Sequence, residues 1–215
     1  MKPPLPDPQQ TPATLNALRQ RLRRARRQLS VSQQRHAAHA VTRRLCRAPA
    51  WQCARRIALY QAIDGEIDPG QALRRAWQQG KACYLPVLHP VKKDRMLFVR
   101  IRPGDRLSYN RWGIPEPRPG LRHIVSPRRL DLVLMPLVGF DDAGNRIGMG
   151  KGYYDRTFAF RRRQCSRPTL IGLAHECQQV AEGLTPAVWD VALDALVTAR
   201  RYHTVKQRLP APKAL

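Results

Sequence analysis

Between Gly139 and Asp155 the chain reads Gly-Phe-Asp-Asp-Ala-Gly-Asn-Arg-Ile-Gly-Met-Gly-Lys-Gly-Tyr-Tyr-Asp. Four glycines, Gly144, Gly148, Gly150 and Gly152, fall within nine residues, the last three spaced by two. Glycine adopts positive φ without strain and lets backbone N–H groups crowd an anion, so such a run can form a phosphate nest. Arg146 and Lys151 add full positive charge, and Asp155 can hold a divalent cation beside a polyphosphate. A helix starting just after the run would aim its first N–H groups at the same ligand. The pattern is neither a Walker loop, which needs Gly-Lys-Ser/Thr, nor the Gly-x-Gly-x-x-Gly of a dinucleotide fold. A plain β–α turn is the competing account of the glycines. Their combination with an arginine, a lysine, two tyrosines and an aspartate favours phosphate chemistry.

Such a loop needs a strand to deliver it. Leu130–Val138 is the most apolar stretch of the chain, which predicts a central strand over 131–138, buried on both faces. Further short apolar runs at Arg55–Tyr60, Ala82–Leu88, Met96–Ile101, Thr169–Ala174 and Leu193–Val197 read as strands, with a helix near Pro69–Gln79. Strand, crossover helix, strand is the signature of a parallel sheet. The expected fold is therefore a single α/β domain over residues 14–205. It has three layers: an open, mostly parallel, Rossmann-like sheet with helices on both faces. Leu15, Leu18, Leu22, Ala25 and Leu29 keep a helical period with arginines on the outer face, and Ser30 reads as the N-cap of a second helix to about Arg47. An N-terminal helical hairpin is expected from these. The proline-rich stretch 103–127 predicts an irregular lobe, and residues 1–13 and 206–215 read as tails.

Composition sets the outer limits. A chain of 215 residues is long enough for one well-buried core. No apolar run approaches the roughly 20 residues of a membrane span, and the opening residues lack a signal-peptide core, so a cytoplasmic location is expected. Five cysteines, Cys46, Cys53, Cys83, Cys165 and Cys177, form no Cys-x-x-Cys pair and read as reduced, mostly buried thiols. His36 and His39 sit three apart, yet no carboxylate or cysteine nearby completes a metal site, so a solvated helix face is expected there. Thirty-nine basic residues against fifteen acidic ones give a net charge of +24. That excess favours anionic partners, and Arg19–Arg27 is its densest run. Only seven of the basic residues are lysines, and an Arg-, Ala- and Pro-rich composition is also what a GC-rich coding bias produces. Solvated basic faces are therefore expected ahead of a dedicated nucleic-acid surface.

Gly144–Asp155, taken as Gly-Asn-Arg-Ile-Gly-Met-Gly-Lys-Gly-Tyr-Tyr-Asp, resembles the signature of the 5-formyltetrahydrofolate cyclo-ligase (5,10-methenyltetrahydrofolate synthetase) family. Leu18-Arg19 with Leu29-Ser30 resembles the family's opening helix. Asp64-Gly65-Glu66-Ile67-Asp68 resembles its substrate-binding turn, Trp112-Gly-Ile-Pro-Glu-Pro117 its folate-side loop, and Trp189-Asp190 its second acidic position. The resemblance spans nearly the whole domain. It implies a monomeric enzyme that uses ATP and Mg²⁺ on 5-formyltetrahydrofolate, polyglutamylated forms included, with no membrane and only non-specific contact with nucleic acid. Arg19 would touch the ATP phosphates, while Arg146, Ile147, Gly148, Met149, Gly150, Lys151, Gly152, Tyr153 and Tyr154 wrap them. Arg146, Lys151 and Tyr153 would act in catalysis, and Asp155 and Asp190 would ligate Mg²⁺. Gln61, Glu66 and Trp112, together with Met149–Tyr153, would face the folate. One departure stands out: the family commonly has a lysine where this chain has Leu15, and Arg21 or Arg23 is a candidate substitute. Each residue also has a structural alternative. Arg19 can be one solvated arginine among many, and Glu66 and Asp68 can simply start the following helix. Trp112 and one of the two tyrosines can be core, and Asp190 can be a turn residue.

Overall fold

The computed structural model describes residues 12–89, 91, 94–110, 113–117, 123–163 and 167–205. Helix α1 (Pro12–Arg27) opens on a proline, whose fixed φ suits a first helical turn, two residues before the expected boundary. Helix α2 (Val31–Arg47) starts at a complete capping box. The Ser30 hydroxyl accepts from Gln33 N–H at 3.2 Å, and Gln33 Oε1 accepts from Ser30 N–H at 2.8 Å. A short helix α3 (Pro49–Cys53) leads into strand β1 (Arg56–Ala58), helix α4 (Gly70–Gln78) and strand β2 (Ala82–Leu88). Strands β3 (Met96–Ile101), β4 (Leu107–Tyr109), β5 (Pro115–Pro117), β6 (Ile124–Val125) and β7 (Leu132–Met135) follow. A hairpin of β8 (Gly139–Phe140) and β9 (Arg146–Ile147) then precedes helix α5 (Tyr153–Thr157) and a 3-10 turn over Ala159–Arg163. Strands β10 (Thr169–Leu173), β11 (Ala195–Val197) and β12 (Tyr202–Thr204) complete the described order.

Eight strands form one sheet in the order β12-β11-β10-β7-β1-β2-β3-β6. The five central ones, β11, β10, β7, β1 and β2, run parallel, and β12, β3 and β6 join antiparallel at the margins. The mostly parallel α/β sheet expected from sequence is thus the observed one. Strand β7 is buried at all four positions, in keeping with its central place. Its side chains split by the two-residue period of a strand. Leu132 and Leu134 join Ile57, Leu85, Ile171 and Val197 beneath residues of α2, α3 and α4. Val133 and Met135 join Phe98, Leu170 and Leu196 on the opposite face, where Tyr153, Tyr154, Phe158 and Phe160 close over them. Each large aliphatic or aromatic side chain so buried contributes about 1.5–3 kcal/mol, which is why these two faces dominate the fold.

The two opening helices take different partners. Helix α2 packs on α3, α4 and β11, while α1 lies against the turn at Glu176–Gln178. Leu22 of α1 meets Val138, Ile147 and Val180 there, forming a third, smaller core just beyond the end of β7. The stretch 103–127, expected to be irregular, instead contains the β4–β5 hairpin and the sheet margin β6. Proline masked these strands in the sequence, because β5 carries a proline at each end and its sheet is only two-stranded. The strand expected to reach Val138 stops at Met135, since Pro136 cannot donate to a ladder.

Candidate active site

The chain leaves β1 toward β2 on one side of the sheet and returns through β7 on the other side of β1. A crevice opens beyond the carboxyl ends of β1 and β7, where open α/β sheets place their ligands. It holds a cleft of about 1080 Å³, lined by Tyr60 and Gln61 after β1 and by Pro136 and Leu137 after β7. Ligand clefts run roughly 300–1,000 Å³, so this one stands at the large end of that range.

One wall is the glycine loop. Its four glycines do different things. Gly144 has φ +82°, and a Cβ there would lie 2.6 Å from Val205 Cγ2 and 3.2 Å from the Leu193 carbonyl oxygen. Close packing explains this glycine, and it does not line the cleft. Gly148, Gly150 and Gly152 do line it. At Gly150, φ is +86° and the nearest atom to a built Cβ is Arg19 Cζ at 3.7 Å. Arg19 crosses from α1 to this loop, donating Nε–H to Gly148 O at 3.1 Å and Nη1–H to Asn16 Oδ1 at 2.8 Å. Gly152 sits at φ +63° as the N-cap of α5. That helix has only five residues, so the loop amides, not a helix dipole, are the donors available to an anion.

Charged groups stand behind the loop. Arg146, with its side chain only 5% exposed, donates from Nη2 to Asp155 Oδ1 at 2.5 Å, and its buried Nε has no hydrogen-bond partner. Asp155 Oδ1 also accepts from Val191 N–H at 3.2 Å. Asp190 Oδ2 accepts from Ala187 N–H at 2.8 Å, closing a tight turn. Burial pushes the Asp190 carboxyl up, the Ala187 N–H opposes this, and the neighbouring Asp155 charge adds to the rise. Lys151 and Met149 are exposed on the rim. Tyr154 stacks on Phe158, with centroids 6.3 Å apart and planes at 17°, and burial and the Glu66 charge raise its hydroxyl pKa. Tyr153 lines the cleft with the Arg156 guanidinium 5.5 Å from its ring centre.

The opposite wall is the turn after β1. Asp64 and Gly65 both have positive φ, +54° and +77°. The Asp64 carboxylate takes Arg23 Nε–H at 2.7 Å, Arg26 Nη2–H at 3.0 Å and Arg27 Nε–H. Burial works against the Asp64 anion, but these three guanidinium groups outweigh it and lower its pKa. Glu66 is buried beside them and reaches the cleft, accepting from Ile63 N–H at 3.2 Å. Burial raises its carboxyl from 4.5 to about 7, with Arg26 the main opposing influence.

The cleft therefore gathers Arg19, Gln61, Glu66, Arg146 through Asp155 and Asp190 from segments far apart in the chain. Trp112 lies outside the described residues, as does Cys165. Leu15 lines the cleft, whereas Arg21 is exposed away from it and Arg23 is engaged with Asp64, so neither arginine stands in for a lysine at position 15. Among the described residues no group of three or more His, Cys, Asp or Glu could hold a metal ion. His39 instead pairs with Gln71 at 2.7 Å. The four described cysteines are free, Cys83 buried and Cys53 exposed. The expectation that arginines cover only the outer face of α1 fails at Arg26, which is fully buried. His175 is a second buried residue that sequence reasoning missed, its Nε2 3.1 Å from Gly65 O. Position was the only signal for Arg26, which falls four residues beyond Leu22 on the apolar stripe. His175 gave none.

A mostly parallel α/β sheet, with a large cleft at its strand-order reversal and a glycine-rich cationic loop on one wall, is a layout that suits a nucleotide-using enzyme. The family model for 5-formyltetrahydrofolate cyclo-ligases matches residues 12–199, and the chain belongs to that family. It is similar to the 5-formyltetrahydrofolate cyclo-ligase of Haemophilus influenzae, with 40% identity over 181 residues, 84% of this chain and 95% of that protein. The protein of the same name from Escherichia coli K12 is 38% identical over 177 residues, 82% of this chain and 96% of the relative. Among solved structures, the 5,10-methenyltetrahydrofolate synthetase of Aquifex aeolicus aligns with a TM-score of 0.76 at 27% identity, covering 93% of this chain and 97% of that one. No helix among the described residues is long and apolar enough to cross a membrane.

Proposed function

We propose that this cleft uses ATP to convert 5-formyltetrahydrofolate into 5,10-methenyltetrahydrofolate, releasing ADP and inorganic phosphate. One observation carries the reading: the cationic glycine loop and the buried Glu66 turn face one cleft of about 1080 Å³. A formyl group on N5 is an amide, and its oxygen leaves poorly. Transfer of the γ-phosphoryl group to that oxygen releases ADP and gives an iminium phosphate. N10 of the same molecule attacks the carbon and sheds its proton. Cleavage of the C–O bond then expels the oxygen within inorganic phosphate, leaving the methenyl bridge.

Little covalent chemistry is required of the protein. Lys151, Arg146, Arg19 and the loop N–H groups would oppose the charge that spreads over the transferring phosphoryl group. Tyr153, which lines the cleft just after the glycine loop, would keep the acceptor oxygen against the γ-phosphate. Glu66 would accept from the paired N–H donors of the pterin, with Gln61 beside it, so that N10 stays poised for closure. Asp155 and Asp190 suit a Mg²⁺ ion. Asp155 Oδ2 and Asp190 Oδ1 have no hydrogen bond among the described residues, and Mg²⁺ takes one or two protein carboxylates with phosphate oxygens. Held there, the ion would supply charge neutralisation to the polyphosphate.

Oxygen tracing tests the path. Substrate with heavy oxygen in the formyl group should deliver its label to the released phosphate as the methenyl absorbance rises. Label recovered in water, with unlabelled phosphate, would reject phosphoryl transfer even if methenyl product formed.

A further inference from the structure

Helix α1 turns one arginine inward. Arg26 is 0% exposed, and its guanidinium ties together three separate pieces of the site. Nε donates to the Asp64 carbonyl oxygen at 2.7 Å, Nη1 to the Leu137 carbonyl oxygen at 3.0 Å, and Nη2 to Asp64 Oδ2 at 3.0 Å. The same Nη2 lies 3.6 Å from Glu66 Oε1. The helix backbone also presses on the turn, since a Cβ at Gly65 would lie 3.3 Å from the Arg26 carbonyl oxygen. From below, His175 Nε2 meets Gly65 O at 3.1 Å. Burial holds the His175 pKa down, with the Gly65 carbonyl opposing, so the imidazole meets that carbonyl as a neutral N–H donor. An arginine with so many fixed acceptors has one orientation available, and it leaves a single edge for Glu66.

We propose that Arg26 is a positioning residue for Glu66: it locks the 64–66 turn to the end of β7, aims the Glu66 carboxylate into the cleft and provides its countercharge. The proposal rests on the reading of Glu66 as the pterin acceptor. A pterin offers two adjacent N–H donors, which an ionised carboxylate accepts on both oxygens and a protonated one cannot. Burial alone would keep Glu66 protonated. The groups facing it are Arg26 and Arg23 of α1, Asp64 and the Ile63 N–H of its own turn, Tyr60 after β1 and Tyr154 of α5. Arg26 is the nearest cation among them and the strongest influence opposing burial. Folate binding therefore couples to a proton through an arginine that is not among the residues lining the cleft.

The chain has only four glutamates, Glu66, Glu116, Glu176 and Glu182, so carboxyl ¹³C NMR of glutamate-labelled protein can follow Glu66 directly, assigned by its loss in Glu66→Gln. In wild-type protein the Glu66 midpoint should lie near the value of about 7. Arg26→Gln should move it upward by about one unit or more, as expected for losing a cation within about 4–6 Å, and Arg26→Lys should move it less. A wild-type measurement covers the case in which both variants fail to fold. The Arg26 Nη resonance must shift with the Glu66 midpoint and lose that step in Glu66→Gln. A midpoint unmoved by Arg26→Gln, or an Nη resonance flat through the Glu66 titration, overturns the proposal. Calorimetry of 5-formyltetrahydrofolate binding without ATP separates the two readings. If Glu66 does not hold the folate, Glu66→Gln leaves affinity and proton release unchanged, whatever Arg26 does to the midpoint. If only the role of Arg26 fails, Glu66→Gln abolishes proton release while Arg26→Gln leaves its pH profile in place.

Discussion

At the scale of single residues, two carboxylates two positions apart in sequence have taken opposite tasks. Both Glu66 and Asp68 can start a helix on sequence grounds, and Asp68 does so. Its Oδ1 accepts from Gly70 N–H at 2.8 Å, at the first residue of α4. Glu66 turns inward, where burial raises its carboxyl from 4.5 to about 7. The sign of the stability effect follows from that rise. Between those two values the unfolded chain gives up the Glu66 proton while the folded chain keeps it, so this group makes stability fall as pH rises through the window. Below about 4.5 neither state has lost the proton, and above about 7 the full cost is present. At about 1.4 kcal/mol per unit, the ceiling is roughly 3 kcal/mol. Urea unfolding at pH 5, 6, 7 and 8 should find Glu66→Gln gaining on the wild-type chain as pH rises, then levelling off. A difference that stays constant from pH 5 to pH 8 would mean that Glu66 ionises as an exposed glutamate does.

At the scale of elements, the glycine loop looks uniform in sequence, yet it divides into a packing half and a ligand half. Gly144 is fixed by Val205 and the Leu193 carbonyl, while Gly150 faces the cleft with only Arg19 nearby. Alanine at either position carries the cost of positive φ, about 1–3 kcal/mol. At Gly144 the clash with Val205 adds overpacking of about 1–3 kcal/mol. Gly144→Ala should therefore lower the melting temperature sharply and leave the ATP KM of the folded protein near the wild-type value. Gly150→Ala should melt closer to wild type but raise the ATP KM, because a side chain at φ +86° strains the loop out of its ligand-facing shape. Melting curves and ATP kinetics on the two variants separate these outcomes, and equal effects on ATP KM would return Gly144 to the site. The same contrast marks how much the sequence made legible. Strand β7 and the β1-α4-β2 unit could be read because apolar runs bury both faces of a strand whatever surrounds them. The β4–β5 hairpin and β6 could not, since each is two or three residues long and proline-rich neighbours hide the pattern. The site residues came mainly from the motif resemblance. Arg26 and His175 escaped because burial of a polar side chain depends on carbonyl groups that only the folded chain brings to it.

At the scale of the whole molecule, a net charge of +24 invites a nucleic-acid partner, and the arginine run on α1 is its most tempting surface. The structure gives that run other work. Of the six arginines between Arg19 and Arg27, Arg19 reaches the glycine loop while Arg23, Arg26 and Arg27 converge on Asp64. Arg21 and Arg24 remain exposed without such a partner among the described residues. The run carries no aromatic residue on which a base could stack, so the usual source of affinity for single strands is missing. What remains is a diffuse positive field, which attracts any polyanion and is screened by salt. Binding of labelled RNA, followed by fluorescence anisotropy, should be weak and indifferent to sequence. It should fall steeply between about 50 and 200 mM salt, as counterion release requires. Because the field is spread over the surface and the cleft holds only part of it, saturating ATP with 5-formyltetrahydrofolate should displace little of the RNA bound at low salt. A sequence-selective complex that survives 200 mM salt, or one that both ligands displace fully, would mean that the charge serves a dedicated nucleic-acid site.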